Sequence, residues 1–401
     1  MKKYTRRLIN LDKSFGAQNY KPLPVVLKKG EGVSVYDVEN KMYYDFLSSY
    51  SSINQGHCHP RLVKAINEQA KKLTLCSRAF YSENLSLFYK YMNTTFGYDK
   101  CLPMNSGVEA VETSIKLARL WGYKKKNIEE NKADILVANN NFWGRSLAAC
   151  SSSTDPLCYS NFGPYTPGFD FVNFNNIYDL ENKFITNKNI VAFLVEPIQG
   201  EAGIMVPVKN YLENCSKLCK KYNVLLICDE VQTGLGRTGK FLASEKVNPD
   251  MVVLGKALSG GMMPISCVLA NSNIMDLLEP GTHGSTYGGN PLATYIAPTA
   301  IQIIFDENLL KNSKKMGEIF RKEIKKINND FIYDVRGVGL LNAIEFESDM
   351  IADRFVENCM NNGLLTKITK NSTVRMCPPL IINQIQMEHS LDIIFSSLKS
   401  I

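Results

Sequence analysis

The residues with the most chemical promise sit directly after short apolar runs. The run at 224–228 ends in Asp229-Glu230, that at 251–254 in Gly255-Lys256, and that at 191–195 in Glu196-Pro197, while 135–138 leads into Asn141-Phe142-Trp143-Gly144-Arg145. Such runs read as buried parallel strands, and open parallel sheets bind ligands outside the carboxyl ends of their strands. Asp229 and Lys256, 27 residues apart, would then face one crevice. The pair suits a structural ion pair at two strand ends. It also suits a pyridoxal phosphate site, where a lysine amine forms a Schiff base with the cofactor aldehyde and an aspartate keeps the ring nitrogen protonated, so that the ring can act as an electron sink.

Such a cofactor needs a phosphate cradle, and Asn105-Ser106-Gly107-Val108-Glu109 offers one at a helix start. Ser106 can cap a helix running through Leu120, Glu109 completes a capping box, and Gly107 lets backbone N–H groups approach an anion at the positive end of the helix. A second anion site is expected in the segment 284–291, where glycines and hydroxyls cluster before another helix. Other features carry less. His57-Cys58-His59 lacks further metal ligands, Cys215 and Cys219 lie four apart on a predicted helix as packing residues, and the glycines of 234–239 lack the Lys-Ser ending of a nucleotide phosphate loop.

The elements that must position these groups follow from the pattern. Strands at 135–138, 191–195, 224–228, 251–254 and 265–269 alternate with helices such as 211–222, which predicts a mainly parallel, doubly wound α/β sheet. A hairpin is expected at 33–47 around Glu39-Asn40-Lys41. After Asp306 come a helix to Lys326, a strand at 340–346, a helix near 351–361, strands around Leu364 and Val374, and a last helix from Gln384. We expect an N-terminal segment, 1–44, joining a smaller C-terminal α/β domain, 306–401, with a large domain at 45–305 between them; folded sequence is expected from about Gly16.

Composition narrows the classes. The 401 residues are 45% hydrophobic and 21% charged, with no apolar run near the ~18 residues of a membrane helix. The net charge of +7 is spread among alternating acids and bases, and Lys124-Lys125-Lys126 reads as a solvated helix face, so neither nucleic acid nor membrane is expected as a partner. Eleven cysteines without a CxxC pair suit reduced thiols in the cytoplasm. The basic first ten residues lack the apolar core of a secretory signal, and a mitochondrial presequence is the alternative they leave.

Three segments carry a resemblance. Val195-Glu196-Pro197-Ile198-Gln199-Gly200-Glu201-Ala202-Gly203, Cys228-Asp229-Glu230-Val231-Gln232-Thr233-Gly234-Leu235-Gly236-Arg237-Thr238-Gly239 and Leu254-Gly255-Lys256-Ala257-Leu258-Ser259-Gly260-Gly261 resemble the class III, fold-type I pyridoxal phosphate aminotransferases, and the likeness extends from about Gly16 to the C-terminus. It implies that Lys256 holds the cofactor and shuttles the proton, that Asp229 pairs with the ring nitrogen, and that Val231 and Phe142 cover the two ring faces. It further implies that Ser106, Gly107 and Val108 bind phosphate with Gln232 near the ring hydroxyl. Ser285 and Thr286 would complete the phosphate site of the partner subunit in a homodimer with shared active sites.

The same resemblance implies L-ornithine, reacting through its terminal amine, and 2-oxoglutarate as substrates. Arg145 and Trp143 then match substrate-binding positions, Arg145 holding the carboxylate farthest from the reacting carbon; Tyr20 and Tyr50 match positions that favour ornithine; Arg375 matches the residue for the α-carboxylate of the oxoacid, and Glu201 its gate. Ser106 stands where threonine is common, and 243–248 is about two residues short. A relative acting on N-acetylornithine or 4-aminobutyrate, and a non-catalytic scaffold of the same fold, are the competing readings.

Overall fold

Strands that are apolar at every position need cover on both faces. The computed structural model, which describes residues 2–327 and 330–401, supplies it with a seven-stranded sheet in the spatial order Lys100–Met104, Ser266–Ala270, Met251–Leu254, Leu225–Asp229, Ile190–Val195, Asp134–Ala138, Phe169–Val172. Only Ser266–Ala270 runs against its neighbours; the ladder from Met251–Leu254 to Phe169–Val172 is parallel. The helix Gly107–Lys124 covers one face through Ala110, Val111, Leu117 and Ala118. Ile177–Thr186 and Tyr211–Lys221 cover the other, where Cys215 and Cys219 are buried against the strands. The sheet is therefore doubly wound, as the alternation of runs and helices predicts.

Two smaller sheets hold the rest. The N-terminal hairpin pairs Ser34–Asp37 with Met42–Asp45 around Asn40, whose φ of +69° suits the tight turn. Leu364–Leu365 adds to it in parallel, so the N-terminal segment and the C-terminal region share one sheet. The antiparallel sheet Ile332–Val338, Leu341–Phe346, Thr373–Met376, Lys367–Lys370 packs under the helices Leu309–Lys325, Asp349–Asn362 and Gln384–Lys399. Arg237 ties the sheets together. It is fully buried, and its Nη1 donates to the carbonyls of Leu340 (3.0 Å) and Pro378 (2.6 Å) while Nη2 donates to Asn54 Oδ1 (2.6 Å). Burial lowers its guanidinium to about 10.

The structure differs from expectation at the N-terminus, in several strands and at Lys126. Residues Lys3–Phe15 form a helix ahead of Gly16; it buries only Thr5 and is held by Thr5 Oγ1 donating to Glu39 Oε1 (3.0 Å), so little apolar patterning announces it. The strands Lys100–Met104, Phe169–Val172 and Ile332–Val338 were not expected, because lysine, proline, aspartate or glycine interrupts each. Lys126 is half-buried rather than part of a solvated face. Its ammonium donates to the Ile190 carbonyl (2.7 Å), and burial lowers it to about 8. Among the described residues no helix is long and apolar enough to cross a membrane.

Candidate active site

At the carboxyl ends of the parallel strands lies a cavity of about 210 Å³, lined by Gly107, Val108, Phe142, Trp143, Gly144, Glu196, Glu201, Asp229, Val231, Gln232, Thr233 and Lys256. Asp229 is the last residue of its strand. Its Oδ1 accepts the Val231 N–H (2.9 Å), and no other hydrogen bond among the described residues occupies the carboxylate. Burial raises this carboxyl to about 6, against the opposing pull of the Val231 N–H and Lys256. Lys256 opens a short 3-10 turn, Lys256–Ser259, with a left-handed φ of +44°. A non-glycine residue held there stores roughly 1–3 kcal/mol of strain, a feature that clusters at functional sites. Burial lowers its amine, which Glu201 partly counters.

An anion cradle adjoins these groups. Ser106 Oγ accepts the Glu109 N–H (3.4 Å), and Glu109 Oε2 accepts the N–H of Ser106 (2.7 Å) and of Asn105 (2.9 Å). Among the described residues, this capping box leaves the N–H groups of Gly107 and Val108 unclaimed at the positive end of an 18-residue helix. Glycine eases the close approach at Gly107, where a Cβ would lie 3.1 Å from Val231 Cγ1, and is needed at Gly144, whose φ is +147° and where a Cβ would lie 2.5 Å from Val108 Cγ2. Val231 and Phe142 both line the slot. An amine, a carboxylate, two apolar walls and a helix start together suit a flat aromatic aldehyde with a basic ring nitrogen and an anionic arm.

The other end of the cavity is built for carboxylates. Arg375, on the strand Thr373–Met376, is completely buried. Its Nη2 pairs with Glu201 Oε1 (2.7 Å) and donates to Thr369 Oγ1 (2.8 Å), and its Nη1 donates to Gln232 Oε1 (3.1 Å). Gln232 Nε2 donates in turn to Glu201 Oε1 (3.2 Å). Burial alone would raise the Glu201 carboxyl, but Arg375, Lys256 and these hydrogen bonds outweigh it and hold it below its ordinary value. The Arg375 guanidinium lies 5.3 Å from the centre of the Tyr50 ring, which a run of left-handed residues, Ser48 to Ser51, presents.

Arg145 sits 5.8 Å over the Phe142 ring and, among the described residues, has no hydrogen-bond or ion-pair partner. Its charge reaches Tyr50 and Asp155. Tyr20 is 66% exposed, with the Lys367 ammonium 5.8 Å from its ring centre, and it too acts on Tyr50. Trp143 is buried, tilted against Phe169 at 6.5 Å. Ser285 and Thr286 do not line this cavity; they border a separate surface depression with Leu75, Ser77 and Arg78, and Ser285 Oγ accepts from Asn105 Nδ2 (2.8 Å). His57 bonds Asp45 and His59 bonds Glu307, each at 2.8 Å.

Sequence reasoning gave no role to Glu196 or Thr369. Glu196 Oε1 accepts the Phe142 N–H (3.0 Å) and Oε2 the Gly200 N–H (3.1 Å), bracing two walls of the cavity. Burial, with the Asp229 charge, raises its carboxyl to about 8. Its place after a strand was the available signal. Thr369 reaches Arg375 only through strand pairing, which leaves no local mark.

A family model described as aminotransferase class-III matches residues 15–398. The chain is 52% identical over 391 residues to the mitochondrial ornithine aminotransferase of Drosophila melanogaster, covering 97% of this chain and 90% of that one. Its fold matches the ornithine aminotransferase of Toxoplasma gondii, a structure with partial occupancy of PLP at the active site, at a TM-score of 0.97 and 43% identity over 99% of this chain and 94% of that one. It also matches the acetylornithine aminotransferase of Elizabethkingia anophelis at a TM-score of 0.91 and 48% identity, over 99% of each chain.

Proposed function

Because the chain belongs to the class-III aminotransferase family, we infer that it transfers the δ-amino group of L-ornithine to 2-oxoglutarate, giving L-glutamate 5-semialdehyde and L-glutamate, with pyridoxal 5'-phosphate as cofactor. The observation that carries this reading is the buried Arg375 closed by Glu201 beside Tyr50, with the unpaired Arg145 guanidinium over Phe142. One cation is masked while the other is free, which suits a substrate whose carboxylate lies far from its reacting amine.

The cofactor, when bound, supplies an aldehyde for the lysine amine and a ring that accepts the electron pair of the broken C–H bond. The first-turn N–H groups of Gly107 and Val108, with the Ser106 hydroxyl, hold its phosphate. Asp229 would pair with the protonated ring nitrogen, Val231 and Phe142 would cover the ring faces, and Gln232 would serve the ring hydroxyl; all four line the cavity. The Lys256 amine, lowered by burial, takes the proton from the substrate carbon and returns it one position away. Arg145 binds the ornithine carboxylate, with Trp143, Tyr50 and Tyr20 shaping its passage. When an α-carboxylate arrives, Glu201 yields Arg375 to it.

Ser285 and Thr286 lie outside their own chain's cavity, and Leu73, Phe80, Tyr81, Leu87 and Tyr287 are exposed. Both observations support a homodimer in which the 284–286 turn completes the partner's phosphate site. In this reading 45–305 carries the cofactor, while 1–44 and 306–401 form the lobe that carries Arg375. Eleven free cysteines support a reducing compartment, the cytoplasm. The similarity to an acetylornithine enzyme sets the test. With ornithine, N-acetylornithine and 4-aminobutyrate offered separately, ornithine should convert the bound cofactor fastest. Preference for either competitor would refute the substrate assignment.

A further inference from the structure

The 282–288 loop, which carries Ser285 and Thr286, is pinned at two points to the segment that opens the phosphate cradle. Asn105 holds one point: its Nδ2 donates to Ser285 Oγ, which also accepts the Gly288 N–H at 3.1 Å. His283 holds the other. Its Nε2 lies 2.9 Å from Thr113 Oγ1 and its Nδ1 lies 2.9 Å from Lys116 Nζ, both on the helix Gly107–Lys124. Thr113 spends its one hydroxyl proton on the Glu109 carbonyl (2.7 Å), so toward the imidazole it can only accept, and Nε2 must carry hydrogen. An ammonium has only donors, so Nδ1 must offer its lone pair. The two contacts together require neutral imidazole in one tautomer.

We propose that His283 is a positioning residue: with Thr113 and Lys116 it locks the 282–288 loop to the phosphate-binding helix, so that Ser285 and Thr286 are held ready for the phosphate of the neighbouring subunit. The proposal rests on the shared-site reading above. One helix then presents its own first-turn N–H groups to one phosphate and, through the lock, a pair of hydroxyls to the other. A proton on Nδ1 would set two cations 2.9 Å apart. Among the described residues no free carboxylate is at hand to relieve them: Glu109 serves the capping box, Glu112 bonds Ser146, Glu279 pairs with Lys124, and Arg78 across the depression is another cation. Burial, and then Lys116, lower the imidazole below its ordinary value, so the lock holds at neutral pH and opens in acid.

The test follows release of cofactor from the holoenzyme after dilution, by fluorescence of the freed cofactor, between about pH 5 and pH 8. Sedimentation of the same samples records the dimer. His283→Asn should speed release at neutral pH by roughly three- to tenfold, the loss of one or two hydrogen bonds. Its release should also lack part of the acid acceleration seen in the unaltered protein. Lys116→Met should flatten that same part, because a protonated imidazole still donates to Thr113 and no longer meets a cation. Asp229 titrates in all three proteins, so the difference between their profiles reports His283. The double variant Ser285→Ala, Thr286→Val separates the two claims. If it speeds release while His283→Asn and Lys116→Met match the unaltered protein in rate and pH profile, the lock is refuted and the shared site stands. If the double variant releases cofactor at the unaltered rate, the shared-site reading fails and the lock's role falls with it.

Discussion

Glu201→Ala tests how one cavity accepts both an unsubstituted terminal carbon and a carbon that bears a carboxylate. The substitution removes two charge-assisted bonds to one carboxylate oxygen, the ion pair of Arg375 Nη2 with Glu201 Oε1 at 2.7 Å and the weaker bond from Gln232 Nε2 at 3.2 Å, with the arginine fully buried and the glutamate side chain 24% exposed. Such bonds are worth about 1.5–3 kcal/mol net, and stripping one partner from a fully buried pair costs about 3–5. The lower range applies, because Arg375 keeps Gln232, Thr369 and the Gly200 carbonyl as acceptors and Glu201 touches solvent. Taking ~2 kcal/mol, ornithine must desolvate an uncompensated cation in the variant, and its kcat/KM should fall by roughly tenfold or more. Glutamate gains instead. Its α-carboxylate no longer has to displace Glu201, so its kcat/KM should rise by up to roughly tenfold, and the ratio of the two should shift by about 10².

The two half-reactions are to be measured separately, by cofactor absorbance in single turnovers with each amino donor. Arg375→Ala serves as the counterpart and should harm the 2-oxoglutarate half far more than the ornithine half. Equal slowing of both halves by Glu201→Ala would show that Glu201 merely supports Arg375, and would refute the gating argument.

Lys256→Ala should lower turnover with ornithine by roughly 10³ or more while cofactor remains bound through the helix start and Asp229, as absorbance and a turnover assay would show. Gly144→Ala should lower activity at least about tenfold without unfolding the protein, since its Cβ would strike Val108 at 2.5 Å from a backbone at φ +147° and push Phe142 and Arg145 aside; circular dichroism beside the assay checks both halves of that statement. Glu196, raised to about 8 from an ordinary 4.5, binds its proton more readily in the folded than in the unfolded chain. Its contribution to the stability of the cofactor-free protein is therefore full below about pH 4.5 and lost as pH rises through about 8, and Glu196→Gln should flatten that part of a denaturation series taken over pH.

What the sequence made legible, and what it hid, divides by the range of the interaction. Asp229 and Lys256 were readable because each ends an uninterrupted apolar run, and a strand end is a place that chain order alone marks. The cradle was readable because a capping box is local, spanning only Ser106 to Glu109. Arg375 also stood out, but only by its resemblance; its pairing with Glu201 joins residues 174 positions apart, and no periodicity reports that. Lys126 shows the limit most plainly. Within its triple-lysine run it is indistinguishable from Lys125, yet the helix end turns it toward the carbonyls of Ile190 and Tyr222, two segments remote in sequence. The strand Lys100–Met104 was hidden for a related reason, since its Pro103 and Lys100 are tolerated only at the sheet edge it occupies.

The buried charges of the cavity form a chain in which each group sets the state of the next. Arg375 and Lys256 hold Glu201 ionised, Glu201 and Asp229 support the charge on Lys256, and the Asp229 charge helps keep Glu196 protonated. Asp229, at about 6, is ionised at neutral pH in spite of full burial, with only the Val231 N–H and the Lys256 charge to oppose desolvation. A protonated ring nitrogen placed against its open oxygen would add a close cation and lower it further. That same cation would offset the Asp229 field at Glu196 and lower Glu196 toward neutrality. Holding the cofactor and setting the protonation of the braces around it are thus one electrostatic event. Asp229 is the strongest charge acting on Glu196, ahead of Glu201, so Asp229→Asn should reduce the proton uptake or release that accompanies cofactor binding at pH values near 7, as a pH-indicator titration would show; an unchanged proton count would refute the coupling.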